Sequence, residues 1–405
     1  MANSSKKTSL KAKLLVLSFG ITALLGGASL VVVNNLVQRQ KTFQLDNFSG
    51  IAESLSASVA AQFFERYGDV QAFAINPSIR SNSRQIVTEA LNNYAALYLI
   101  YDLIMVVDKN GRLVAVNSKE PTGKELNTSA LFEKNYSNEE WFKNTLNGKF
   151  TEDKEKGFAG TYFQDMHNDP YISEVYKKNE PYTSFNAQVK DEKGNIIGVI
   201  SNRANSAWVR SAFLDATRII KSLNYQESDF YLVRKDGMLL TESHIRDGKE
   251  AKLESKELKV NLVTEKDNAA IASVSGKSGS LIALDPTDGN QDASGFSPVS
   301  GPKFIESIGW SVVVRDSMDE VMADLNQQKR LFYIAFTITT ALALVISYFF
   351  STTLAKHLTS LANSLATGSE QVSTAATEIS STSTRLSEAA VEQASAIQET
   401  AASID

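Results

Sequence analysis

Reactive side chains concentrate in one short stretch. Gly160-Thr-Tyr162-Phe-Gln-Asp165-Met-His167-Asn-Asp169-Pro170-Tyr171 brings aromatics, carboxylates and an imidazole together. Such a run can wall a small-ligand pocket, where apolar rings enclose a few oriented polar groups. It can also lend oxygen and nitrogen donors to a metal, or be a solvated loop. A lone Trp such as Trp141 is more often core than ligand contact, and one further group suits the first use. Arg203 follows an apolar strand and is a candidate anion donor, with a surface ion pair as the alternative.

Nothing resembles catalytic machinery. The chain has no Gly-x-Ser-x-Gly elbow, His-Glu-x-x-His pair or phosphate loop. Its three histidines, His167, His244 and His357, make no spaced metal-ligand pair, and there is no cysteine. The expectation is a non-enzyme with no metal and no cofactor. A net charge of −5 over 405 residues argues against nucleic acid, which needs a basic face.

The elements that must position these residues lie between two apolar runs. Residues 14–33 carry no charge and have the length of a helix crossing a hydrocarbon core of about 30 Å. Lys6, Lys7, Lys11 and Lys13 precede them without an acid, which holds residues 1–13 on the cytoplasmic side. A cleaved signal peptide would want a shorter apolar core and a small-x-small exit. Residues 331–354 form the second span. The expected layout is a multi-pass inner-membrane protein in contact with lipid. Residues 34–330 lie outside the cell or in the periplasm, and residues 355–405 in the cytoplasm.

The outer region opens with a helix whose apolar stripe is Phe48, Ile51, Leu55, Val59 and Phe63, stopped at Asn76-Pro77. Three hairpins follow, turning at Asp108-Lys-Asn-Gly111, Asp191-Glu-Lys-Gly194 and Lys235-Asp236-Gly237, and a last strand covers Trp310 to Val314. A helix near 207–221 separates the hairpin clusters. The stretch from Pro286 to Pro302, rich in Gly, Ser, Asp and Pro, reads as loop. The fold class is α+β, two modules on one long helix.

The order and spacing of these motifs resemble the double Cache sensor family, whose modules are PAS-like. The hairpin at Asp191–Gly194 is similar to the end of a distal module, about 76–206. Gly309-Trp310-Ser-Val-Val-Val-Arg315 is similar to the closing strand of a proximal module, about 222–316. The resemblance implies a small-molecule ligand in the distal module, with Tyr136-Ser-Asn-Glu-Glu-Trp141-Phe142 as pocket wall. Tyr162, Asp165, His167, Asp169 and Arg203 are the other candidate ligand-binding residues. The amino-acid-binding branch carries Arg two residues before the Trp; here Glu139 stands there. An amine, a cation or a ligand held by other donors is left open.

From Leu361 the composition turns to Ala, Ser, Thr, Glu and Gln. Leu365, Val372, Ile379 and Leu386 recur every seventh residue, and Ala376, Ser383, Ala390, Ile397 and Ile404 supply the offset set. This is a coiled-coil pattern with a small-residue seam, which a homodimer would bury. Ala394-Ser-Ala-Ile-Gln398-Glu399-Thr-Ala-Ala402-Ser403 resembles the methylation segment of methyl-accepting chemotaxis proteins. The resemblance implies methyl esterification at Glu399 and, one heptad earlier, at Glu392. It also implies a histidine kinase, a coupling protein, a methyltransferase and a methylesterase as partners. No relay module is evident between the second span and the heptads, and the family's long helical hairpin does not fit before Asp405, so a truncated signalling domain is expected. Two competing readings are the sensor half of a Cache-containing histidine kinase or nucleotide cyclase, and a ligand-free structural coiled coil anchored in the membrane.

Overall fold

The computed structural model describes residues 9–251, 253–285 and 289–402. Lys6, Lys7, Pro286, Ser403 and Ile404 fall outside them. Contacts divide the chain into a unit of residues 38–326 and a unit of residues 1–37 with 327–405.

The first unit is built on helix α1 (Leu10–Ala74), whose buried face from Phe48 through Ile51, Leu55, Val59 and Phe63 to Phe73 carries one continuous core. Full burial of each such side chain contributes roughly 1.5–3 kcal/mol, an upper figure set against chain entropy. Asn76 ends the run. Its side chain accepts from Ser78 N (2.8 Å), and Pro77 begins a separate short turn.

Two antiparallel sheets pack on this helix. One has the strand order β2 (Leu113–Val116), β1 (Tyr101–Asp108), β5 (Ile196–Asn205), β4 (Pro181–Lys190), β3 (Thr161–Asn168). Helix α2 (Arg84–Tyr98) packs on β1 and β2. Alternation along β5 turns Ile200 and Ala204 toward α1 and Val199 toward a second core. Helix α3 (Glu140–Leu146) covers that second face, with α4 (Pro170–Tyr176) beside it.

The other sheet has the order β8 (Lys249–Ala251), β7 (Leu239–Arg246), β6 (Ser228–Val233), β11 (Ser311–Ser317), β10 (Gln291–Pro298), β9 (Gly279–Leu284). Helix α5 (Ala207–Ser222) runs between the sheets in sequence, and α6 (Asn268–Val274) covers β9, β10 and β11. The three sequence-predicted hairpins are β1–β2, β4–β5 and β6–β7.

One expectation is corrected, and one of the readings left open is excluded. The stretch from Pro286 to Pro302 is not all loop: β10 lies inside it, paired on both edges. Its small residues serve close approach, because a Cβ on Gly295 would collide with the Phe48 carbonyl of α1. The stretch from Gly160 to Tyr171 is not loop either. It forms β3 and the start of α4, with Asp169 capping the helix through Tyr171 N (2.8 Å) and Ile172 N (3.1 Å).

In the second unit the apolar parts of α1 and of α8 (Ala323–Ala402) lie antiparallel. Ser18 Oγ meets Ser351 Oγ at 3.5 Å, and a Cβ on Gly26 would stand 3.3 Å from the Phe336 ring. Small residues at the contact are the usual basis of helix pairing in lipid. Both helices are long and apolar enough to cross a membrane. A four-residue turn of helix, α7 (Met318–Val321), precedes α8. Beyond Leu361, α8 stays exposed on every side, the apolar heptad residues Leu365, Val372, Ile379 and Leu386 included.

Candidate functional site

The second core of the first sheet holds a buried cation. Period-two alternation sends Ser201 and Arg203 of β5 to the face that α3 and α4 cover, and Arg203 is fully buried there. Its guanidinium carbon lies 4.7 Å from the Trp141 ring centre and 4.9 Å from that of Tyr171. Its Nε donates to Asp169 Oδ2 (3.2 Å) and its Nη1 to Ser201 Oγ, while Nη2 meets no acceptor. A buried charge is stable only when paired and hydrogen-bonded, so one open donor here is costly.

Asp169 serves the helix and the cation together. Burial pushes its carboxyl pKa up. Arg203, His167 and the Ile172 N–H outweigh that and bring it down to about 2. His167 stands 3.6 Å from Asp169 through Nε2, and its Nδ1 contacts the Asp165 carbonyl at 2.8 Å. Tyr136 packs 5.4 Å from Tyr171 and 6.0 Å from Trp141, and its hydroxyl donates to Leu131 O at 2.9 Å. Burial raises the Tyr136 and Tyr171 hydroxyls well above their ordinary pKa, so both stay neutral. The Trp141 Nε1 is buried without a hydrogen bond in line.

The structure therefore brings together Tyr136, Trp141, Asp169 and Arg203, with His167 at the edge. Phe142 backs Trp141 edge-on at 5.9 Å. Tyr162 sits at the rim, its hydroxyl donating to Glu140 Oε1 at 3.3 Å. Asp165 does not join them. A bulge between Gln164 and His167 turns it away, and its Oδ1 accepts from Trp310 Nε1 at 3.0 Å, tying the first sheet to the strand-start of the second. Tyr171 and Ser201 were missed as site residues. The Asp-Pro helix start and the spacing Ser201-x-Arg203 were the available signals.

The second sheet repeats the device with a different outcome. Arg315 of β11 pairs with Asp267, which caps α6 through Ala269 N and Ala270 N (both 3.0 Å). A second carboxylate, Asp285, stands 3.3 Å from Arg315 Nη1, and Tyr231 lies under the guanidinium at 5.0 Å. Both terminal nitrogens of Arg315 thus face carboxylates. Arg203 has only one carboxylate, and that one also caps a helix. Glu392 and Glu399 lie on exposed turns of α8. Among the described residues no cluster of three or more His, Asp or Glu side chains is arranged to hold a metal.

The model of the Cache domain family matches residues 33–325, more than half of the chain. The chain is a Cache-domain protein. Residues 33–325 are its Cache domain. No curated protein matches it by sequence. Among solved structures it is similar to the ligand-binding domain of the Pseudomonas aeruginosa PAO1 amino acid chemoreceptor PctB in complex with L-Arg. That match has 14% identity and a TM-score of 0.44, and covers 73% of this chain and 98% of that one. The periplasmic sensory domain of the Campylobacter jejuni chemoreceptor Tlp1 is similar at 14% identity and a TM-score of 0.43, covering 71% and 98%. The extracellular domain of the putative histidine kinase rpHK1S-Z16 is similar at 13% identity and a TM-score of 0.43, covering 68% and 95%.

Proposed function

We propose that this Cache-domain protein is a transmembrane chemoreceptor whose distal module binds a small molecule through an anionic group held by Arg203. The carrying observation is a fully buried guanidinium beside Trp141 and Tyr171 with Nη2 unpaired. A ligand oxygen at Nη2 would replace the lost hydration with a charge-assisted bond. The rings of Tyr136, Trp141 and Tyr171 would enclose its apolar part. Glu139 does not exclude a carboxylate, because a different arginine can grip it.

The domain is read as a double Cache, with one module per sheet: about 76–206 around the first and about 222–316 around the second. Residues 14–33 and 331–354 cross the inner membrane, and 34–330 lie outside. The exposed apolar heptads of α8 support pairing with a second copy, since a lone strand leaves its seam in water. Glu399 and Glu392 are the proposed methyl-ester sites. Esterification removes a negative charge from a helix face and shifts packing between helices, which biases a two-state receptor. The full signalling domain would contact a histidine kinase, a coupling protein, a methyltransferase and a methylesterase. The methylation segment favours this reading over an enzyme-linked sensor.

A thermal-shift screen of the detergent-solubilised chain against organic acids, amines and α-amino acids tests the site. Organic acids should stabilise the chain, and Arg203→Lys should abolish the shift. Stabilisation by amines alone overturns the assignment to Arg203. Transfer of labelled methyl groups to the tail, lost in Glu399→Ala, tests the receptor class. No incorporation at all sinks it.

A further inference from the structure

Where β11 leaves the second sheet, two carboxyls meet. Asp316 is the penultimate residue of β11 and is only 3% exposed. Its Oδ2 accepts from Ser228 Oγ (3.0 Å), and its Oδ1 meets no donor. Glu320, one turn later in α7, stands within hydrogen-bonding reach of it. Glu320 also clamps the start of β6: Oε1 accepts from Gln226 N (2.6 Å) and Oε2 from Glu227 N (3.1 Å). We infer that Asp316 and Glu320 are a proton-sharing carboxyl pair that latches the start of the exit helix to the second sheet, and that loss of the proton releases the latch.

Two carboxyls in contact cannot both be ionised without strong repulsion. Two backbone N–H groups donate to Glu320 and no donor reaches Asp316 Oδ1, so the proton resides on Asp316. Among the described residues, the compensation Asp316 receives comes from neutral donors, the Ser228 hydroxyl and the Ser317 N–H. A cavity of about 50 Å³ beside Asp316 is acid-rich, with Glu227 and Asp229 from the β6 side and Asp285 and Asp292 from the β9–β10 side. Its two cations are committed elsewhere: Arg246 Nη1 to Asp229 at 2.8 Å, and Arg315 to Asp267 and Asp285. His244 on β7 is engaged by Asp229 at 2.7 Å and Glu242 at 3.2 Å. From the helix side comes another acid, Asp324 of α8, which with Asp316 and Glu320 acts on the Tyr225 hydroxyl. Burial, and then the charge of Glu320, push the Asp316 pKa up to about 9, in line with this geometry.

On deprotonation the proton passes to solvent and two anions face each other. Glu320, half-buried where Asp316 is buried, is the partner able to move, and its departure frees the Gln226 and Glu227 N–H groups. Because α7 leads through Met322 directly into α8, the latch sits at the covalent exit from the second sheet toward the tail. This device is independent of the distal site.

Pulsed amide hydrogen exchange on the full chain in detergent, from about pH 7 to about pH 10 and corrected for intrinsic base catalysis, tests it. Protection at Gln226, Glu227 and 318–322 should fall in one step, with the open population rising about tenfold per pH unit below the midpoint. Asp316→Asn should keep the protection throughout. Ser228→Ala, which removes a bond favouring the anion, should move the step to higher pH. Infrared difference spectra of the wild type should show one buried carboxyl ionising over the same range, which keeps the test decisive if Asp316→Asn fails to fold. A wild type without the step, a step that survives in Asp316→Asn, no carboxyl ionising, or a step abolished by His244→Gln would each overturn the inference.

Discussion

At the scale of the residue, the site turns on how the buried charge of Arg203 is compensated by hydrogen bonds. Deleting its side chain leaves Asp169 buried and without its cation, so Arg203→Ala should cost about 3–5 kcal/mol in denaturant unfolding. Arg203→Met combined with Asp169→Asn should recover much of that, because neither residue is then a lone buried charge. Asp169 also has a pH signature. Its folded pKa of about 2 lies below the ordinary carboxylate value, so its contribution is present above about pH 4 and lost as pH falls through 2. Acid unfolding curves of wild type and Asp169→Asn should therefore diverge in that window, and parallel curves would contradict the pairing. His244 acts on the other side. Burial lowers its pKa, but Asp229 and Glu242 raise it to about 9. Its contribution is complete below the ordinary histidine pKa and is lost as pH rises through 9.

At the scale of the element, α1 and β10 are the informative pair. The stripe on α1 is periodic and could be read directly, since every third or fourth residue from Phe48 to Phe63 is apolar. Strand β10 could not be read. Gln291-Asp-Ala-Ser-Gly-Phe-Ser-Pro298 has the composition of a turn, and only pairing on both edges makes it a strand. Gly295 lies where the helix backbone touches the sheet. Gly295→Ala must push α1 away from β10 and should cost about 1–3 kcal/mol, measured as a lower thermal midpoint at unchanged helix content. On α8, Ile379→Asp puts a charge into the exposed heptad line. It should lower the dimer fraction in sedimentation while leaving the sensor's melting unchanged.

At the scale of the whole molecule, layout is testable because the chain has no cysteine. Single cysteines placed at exposed Lys109 and at exposed Thr382 should label from opposite sides of the membrane in intact cells. Labelling of both by an impermeant reagent would refute two crossings. Asp165 belongs at this scale too. The bulge that turns it away from Arg203 gives it to Trp310, so a candidate site residue serves as a tie between two sheets.

Sequence alone determined the two apolar helices, the hairpin turns and the heptad tail, because each rests on a local period or on a turn that only Gly and Asp make easily. It also marked Arg203, Asp169 and Trp141, since unusual residue types stand out in a strand or beside a proline. It could not join them, because Arg203 meets Asp169 only after β3, α4 and β5 are folded against one another. Tertiary structure decided which carboxylates are paired and which donor is left open. It also decided that Asp165 faces away and that Asp316 is buried where Glu320 holds the start of β6, because burial and partner count depend on neighbours distant in the chain.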